Sequence, residues 1–184
     1  MFQALLKKIA QKLSDKDIPY MVIGGQAVLL YGEPRLTKDI DITLGLGIEG
    51  LGKIKEVFES LSFKVLVRNP VDFVKKTMVL PVLDESSGIR VDFIFSFSKY
   101  EKQAIEKANE VNLDNVIVRF AALEDLVIHK IIAKRARDIE DVRSILLKNP
   151  EYDMAYIKKW LNEFDKSLDE NFGELFNNLV ENLA

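Results

Sequence analysis

The tightest constraint on this chain's fold lies between residues 20 and 44. Tyr20-Met21-Val22-Ile23 is a short, partly β-branched apolar run introduced by Pro19, and it stops at Gly24-Gly25. Such a run reads as a strand ending in a glycine turn. Residues 26–31 resume with good helix formers and stop at Gly32 and Pro34, which predicts a helix of about two turns. Fourteen positions after Gly25 begins Asp39-Ile40-Asp41-Ile42-Thr43-Leu44. Its period-2 alternation places both acids on one face of a second strand and the Ile and Leu side chains on the other.

The chemistry of this stretch follows from its residue types. Two glycines at the entrance to a helix expose backbone N–H groups and let an anion come close, with phosphate the obvious guest. Asp39 and Asp41 concentrate two negative charges on one small patch, which is costly unless a cation sits beside them. Acid-x-acid spacing is weak evidence alone, since Asp15/Asp17, Asp138/Glu140, Glu151/Asp153 and Glu163/Asp165 also show it, but only Asp39/Asp41 lies in an apolar β-branched run. A third acid, Asp92, interrupts the apolar strand Arg90-Val91-Asp92-Phe93-Ile94-Phe95. It needs a partner there, and a metal shared with Asp39 and Asp41 would supply one.

Composition narrows the alternatives. With no Cys and a single His, the chain has no disulfide framework, no thiolate nucleophile and no zinc–thiolate site, so metal and acid–base chemistry falls to carboxylates and lysines. A net charge of −3 argues against a broad, sequence-independent grip on nucleic acid. The N-terminus lacks a signal peptide's apolar stretch and no apolar run reaches about 18 residues, so the expectation is a cytoplasmic protein with no membrane segment.

The rest of the chain sets the architecture. Phe2, Leu5, Leu6, Ile9 and Leu13 mark an amphipathic helix over residues 1–14, and Leu51, Ile54, Val57, Phe58 and Leu61 mark another. Residues 63–67 predict a short strand, residues 77–83 and 89–95 an antiparallel hairpin, residues 99–110 a polar helix and residues 116–120 a further strand. From Ala121 the chain is helix-forming, broken at Asn149-Pro150 and near residues 135–138. The order predicts an α+β fold: a mixed, mostly antiparallel sheet of about five strands with helices packed on it in residues 1–120, then a helical C-terminal region, residues 121–184, packed on that core.

Other features have structural readings. Phe93, Phe95 and Phe97 read as sheet core, and Phe164, Leu168, Phe172, Leu175, Phe176 and Leu179 as a helical face packed on the core or on a partner subunit. His129 reads as a surface or packing histidine. Around Lys130 two readings stand. On a continuous helix Lys130, Lys134, Arg137 and Asp141 share one face with i,i+4 ion pairs; with a break near Ala136, Asp138 becomes an N-cap with Asp141 three residues on.

Gly24-Gly25, Asp39-Ile40-Asp41 and Val91-Asp92-Phe93 together resemble the nucleotidyltransferases of the DNA polymerase β type. The likeness is nearest to the AbiEii-like and other minimal members, through Arg35-Leu36-Thr37-Lys38-Asp39-Ile40-Asp41, Leu123-Glu124-Asp125-Leu126, Lys130 and Arg137-Asp138-Ile139-Glu140-Asp141. The resemblance implies two-metal transfer of a nucleoside monophosphate from an NTP to a hydroxyl or similar acceptor. Asp39 and Asp41 would hold Mg²⁺ or Mn²⁺ on the triphosphate, and Asp92 would complete the second metal site and help deprotonate the acceptor. It also implies that Gly24, Gly25 and Lys130 contact the nucleotide, with Arg35 and Thr37 steadying their loop or touching phosphate. ATP is the default nucleotide, and protein, transfer RNA and small molecules all stand as acceptors. The alternative is a catalytically silent nucleotide- or protein-binding module of the same fold, one half of a toxin–antitoxin pair. A homo-oligomer or a cognate partner protein stays open.

Overall fold

In the computed structural model, which describes residues 1–96 and 98–183, contacts divide the chain into two units, residues 1–26 with 36–121 and residues 27–35 with 122–184. The first holds all seven strands found among the described residues: β1 (Tyr20–Ile23), β2 (Asp39–Leu44), β3 (Lys64–Val65), β4 (Val79–Asp84), β5 (Ile89–Phe95), β6 (Asn109–Leu113) and β7 (Val116–Phe120). They form one mixed sheet in the order β3-β4-β5-β2-β1-β7-β6. The β1/β7 and β2/β5 pairs are parallel and the others antiparallel. The α+β class and mostly antiparallel sheet are as expected, but the expectation of about five strands was too low.

Alternation along the central strands separates two faces. Ile40, Ile42 and Leu44 of β2 and Val91 and Phe93 of β5 are buried, whereas Asp39, Asp41 and Asp92 on the opposite face stay half-buried. The apolar side closes around Phe93, whose ring centroid lies 4.8 Å from that of Phe58 and 6.5 Å from that of Phe63. Phe58 is carried by α3 (Leu51–Leu61), which contacts α1 (Phe2–Ser14), and α1 packs on β7. Phe95 is buried as expected, and Phe97 lies outside the described residues.

Two elements differ from the sequence reading for local reasons. The expected helix over residues 99–110 ends early: α5 (Lys99–Glu106) is followed by β6, which hairpins with β7 through Asp114 and Asn115 at φ 48° and 68°. Two consecutive positive φ angles are the signature of a type I′ turn. Because β6 is a largely exposed edge strand, its sequence carries little apolar alternation. Residues 70–76, to which periodicity assigns no element, form with Thr77 the helix α4 (Pro70–Thr77), with Asn69 Oδ1 accepting the Asp72 N–H at 3.3 Å and Pro70 opening the helix. Thr77 therefore ends this helix rather than starting a strand, and β3 is two residues long rather than five.

The second unit contains the larger part of α2 (Gly24–Tyr31), then α6 (Leu123–Ala133), α7 (Ala136–Lys148), α8 (Met154–Leu168) and α9 (Phe172–Glu181). A break does separate α6 from α7: Lys134 turns left-handed at φ 55° and Arg135, not Asp138, takes the N-cap position. A second left-handed residue, Asp169, divides the apolar spacing of residues 164–179 between α8 and α9, leaving Leu168 exposed while Phe172, Phe176 and Leu179 are buried. No helix among the described residues is long and apolar enough to cross a membrane. Helix α6 touches α7, α8 and α9 and buries Leu126, Val127, Ile128 and Ile131. His129 is a packing residue here, and burial pulls its imidazole from 6.5 down to about 4.

Because its folded pKa lies below the unfolded value, His129 contributes stability that is complete above pH 6.5 and is lost as pH falls toward about 4, where the unfolded chain takes up the proton first. Thermal melts across that window should show a steeper decline for the native chain than for His129→Gln. Equal slopes would remove the imidazole from the pH dependence.

Candidate active site

The glycine turn and the Asp-x-Asp strand meet directly. Gly24 opens α2 with φ 66°, a left-handed conformation that favours glycine. A Cβ placed there would overlap Asp41 Oδ2 and lie 2.8 Å from Asp41 Cγ. Antiparallel pairing fixes this approach, since Ile23 at the end of β1 pairs with Asp41 in β2. The anion that the glycine admits in this structure is therefore the chain's own carboxylate.

The parallel β2/β5 register supplies the third acid. Asp41 pairs with Asp92 and Asp39 with Arg90. Residues paired across adjacent strands share a face at a strand spacing of about 4.8 Å, so three carboxylates and one guanidinium occupy neighbouring positions. Arg90 closes a two-pronged fork on Asp92, Nε to Oδ1 at 2.8 Å and Nη2 to Oδ2 at 2.9 Å. Those hydrogen bonds, opposed by some burial and aided by the charges of Asp92, Asp39 and Asp41, raise the pKa of Arg90 further. Carboxylate oxygens suit a hard divalent ion such as Mg²⁺ or Mn²⁺. In the arrangement seen, however, no three acidic or imidazole groups among the described residues converge as a ligand set.

Thr37 is tied down. Gln26, buried at the start of α2, donates from Nε2 to Thr37 Oγ1 at 2.6 Å. This anchors the segment leading into β2 to the helix that follows the glycine turn. Gly25 is the second residue of that helix.

Arg35 and Lys130 belong to the other unit, where they meet on one acid. Arg35 donates from Nε and Nη2 to the two oxygens of Asp141, each at 2.8 Å, and Lys130 Nζ lies 2.8 Å from Asp141 Oδ2 and 2.6 Å from Asp138 Oδ1. Arg135 also pairs with Asp138. The expected i,i+4 pairs and the Asp138 N-cap do not form, although the helix does break: Lys134 pairs with Glu170, Asp138 with Lys130 and Arg135, and Asp141 with Lys130 and Arg35. The turn at Lys134 swings Asp138 and Asp141 back toward Lys130, which no single-helix projection foresees. Burial alone would raise the Asp141 carboxyl, but hydrogen bonds from Arg35 and Lys130 outweigh it and hold the pKa below the ordinary carboxylate value.

Sequence reasoning missed three participants. Arg90 sits two residues before Asp92 on the same strand face, a period-2 signal available in the sequence. Gln26, and Asp141 as the partner of Arg35, carried no local signal, because Thr37 is 11 residues from the first and Arg35 106 from the second.

A protein-family model described as "Nucleotidyltransferase of unknown function (DUF6036)" matches residues 1–181. No curated protein matches. Among solved structures, the solution structure of the antibiotic-resistance factor ANT(2'')-Ia aligns with TM-score 0.61 at 15% identity, covering 91% of this chain and 94% of that one. The crystal structure of ANT(2'')-Ia in complex with adenylyl-2''-tobramycin aligns with TM-score 0.55 at 17% identity over 79% and 87% of the two chains. An antigenic nucleotidyltransferase-like protein from Paracoccidioides brasiliensis gives TM-score 0.57 at 16% identity over 90% and 87%. At such identities the likeness is one of fold.

Two substitutions follow from this geometry. Gly24→Ala should lose at least about 1 kcal/mol from the left-handed backbone alone and push Asp41 out of place, so calorimetric nucleotide affinity should fall even at temperatures where the variant remains folded. Lys130→Met strips a buried cation from two acids and should lower unfolding free energy by about 3 kcal/mol, read from urea denaturation; an unchanged midpoint would show the cluster to be dispensable.

Proposed function

This chain belongs to that nucleotidyltransferase family, and from that premise we propose that it moves a nucleoside monophosphate from an NTP, ATP by default, to a hydroxyl or similar acceptor with the help of Mg²⁺ or Mn²⁺. The observation that carries the reading is the placement of Asp39, Asp41 and Asp92 on one sheet face beside the left-handed Gly24 turn. When bound, a divalent ion would supply charge stabilisation for the triphosphate. Asp39 and Asp41 are the residues to hold it, and their carboxylate oxygens are the donors it prefers.

The chain's own groups account for the remaining chemistry. The N–H groups at the glycine turn lie where a phosphate benefits from helix-terminal donors. Gln26, through Thr37, keeps the approach to β2 in place. Asp92, once free of Arg90, takes the acceptor's hydroxyl proton on a carboxylate oxygen as the new P–O bond forms and pyrophosphate departs. Lys130 and Arg35 set the conformation around Asp141. The setting we propose is the cytoplasm, where NTPs are supplied.

A second reading has one observation in its favour. Asp92 is neutralised by Arg90, as suits a module that binds nucleotide or a protein partner, such as a toxin–antitoxin mate, without turnover.

Incubation with labelled ATP, CTP, GTP and UTP, Mg²⁺ and cell extract separates the two readings, with products resolved into RNA, protein and small-molecule fractions. Transfer should be Mg²⁺-dependent and fall by at least about 100-fold in Asp39→Ala/Asp41→Ala. Label transfer that persists in that variant sinks the enzyme reading. Mg²⁺-ATP at a hundredfold excess over its dissociation constant should also raise the melting temperature by about 5–10 °C.

A further inference from the structure

The carboxylate face contains a cation of its own. On adjacent parallel strands Asp39 stands beside Arg90 and Asp41 beside Asp92, so one guanidinium shares a patch with three acids. Its fork engages both oxygens of Asp92 and turns that carboxylate along β5 toward Arg90. A guanidinium stays charged at any physiological pH. It therefore repels an incoming divalent ion while it occupies the oxygens that ion would use.

Exposure gives the contact a way to open. The Arg90 side chain is 52% exposed and that of Asp92 17%, so the guanidinium can leave without breaking core packing. Arginine forks match phosphate as well as carboxylate, and a polyphosphate arriving at the glycine turn offers more negative charge than a single aspartate.

Resting on the nucleotidyl-transfer reading, we infer that Arg90 is a positioning residue that withholds Asp92 from the divalent-ion site until a polyphosphate takes over its guanidinium. Ion and polyphosphate then bind with positive coupling, and by linkage each raises the other's affinity by the same factor. The device prevents an ion from settling among the three acids before the nucleotide is present.

The test is Mn²⁺ binding to the full chain, followed by electron paramagnetic resonance, with and without inorganic tripolyphosphate and with and without ATP. Arg90→Gln removes the charged fork at an exposed position, and circular dichroism checks that the fold is retained. Expected is an approximately tenfold tighter binding of Mn²⁺ alone by Arg90→Gln than by the native chain. The gain should vanish in Arg90→Gln/Asp92→Asn, and tripolyphosphate should improve Mn²⁺ affinity less in Arg90→Gln than in the native chain. Unchanged or weaker Mn²⁺ binding by Arg90→Gln, while the native chain binds Mn²⁺ with ATP, overturns the inference alone. Failure of both proteins to bind Mn²⁺ with ATP overturns it together with the nucleotidyl-transfer reading.

Discussion

The parallel pairing of β2 with β5 is the constraint on which the candidate site depends. Side chains alternate with period 2, so one register satisfies two demands at once: it buries Ile40, Ile42, Val91 and Phe93 on one face and aligns Asp41 with Asp92 on the other. A slip of one residue would send the aspartates into the apolar layer around Phe58 and Phe93. The burial of the hydrophobic face thus sets the position of the acids, and no attraction among like charges is required. A parallel pair also needs a long crossover, and α3, β3, α4 and β4 lie within it, between β2 and β5 in the chain.

Charge is managed differently in the two units. In the helical unit Lys130, Asp138 and Asp141 are nearly solvent-free, with side-chain exposures of 6%, 4% and 6%. Buried ions survive only when each has partners, and the network with Arg35 and Arg135 provides them. On the sheet Asp39, Asp41 and Asp92 stay half-buried, and Arg90 closes its fork on Asp92. Half-buried carboxylate oxygens on one sheet face suit a hard divalent cation, whereas the helical cluster is closed by its own counter-ions.

How much of this was legible in the sequence depended on the range of the interactions. The strands at residues 20–23, 39–44 and 89–95 follow from alternation, and helices such as α1 and α3 from their 3.6-residue stripes. Edge strand β6 escaped because exposure removes the apolar half of the alternation; its Asp114-Asn115 turn was the readable sign. Helix α4 was readable through its Asn69-Pro70 cap rather than its periodicity. After Ala133 the break near Ala136 was one of two readings open to the sequence, but the partners were not legible, because a single left-handed residue, Lys134, redirects every side chain after it.

The residue types that matter can be read along the chain: glycines before a helix, acids alternating with Ile on one strand, and a lone acid on an apolar strand, because these are local patterns fixed by backbone geometry and side-chain period. Their partners emerge only in the folded chain. It showed that the anion lying over Gly24 is Asp41, that Asp92 is held by Arg90, and that Arg35 and Lys130 converge on Asp141. Strand register and the turn between α6 and α7 settle those pairings through contacts distant along the chain, which no local pattern encodes.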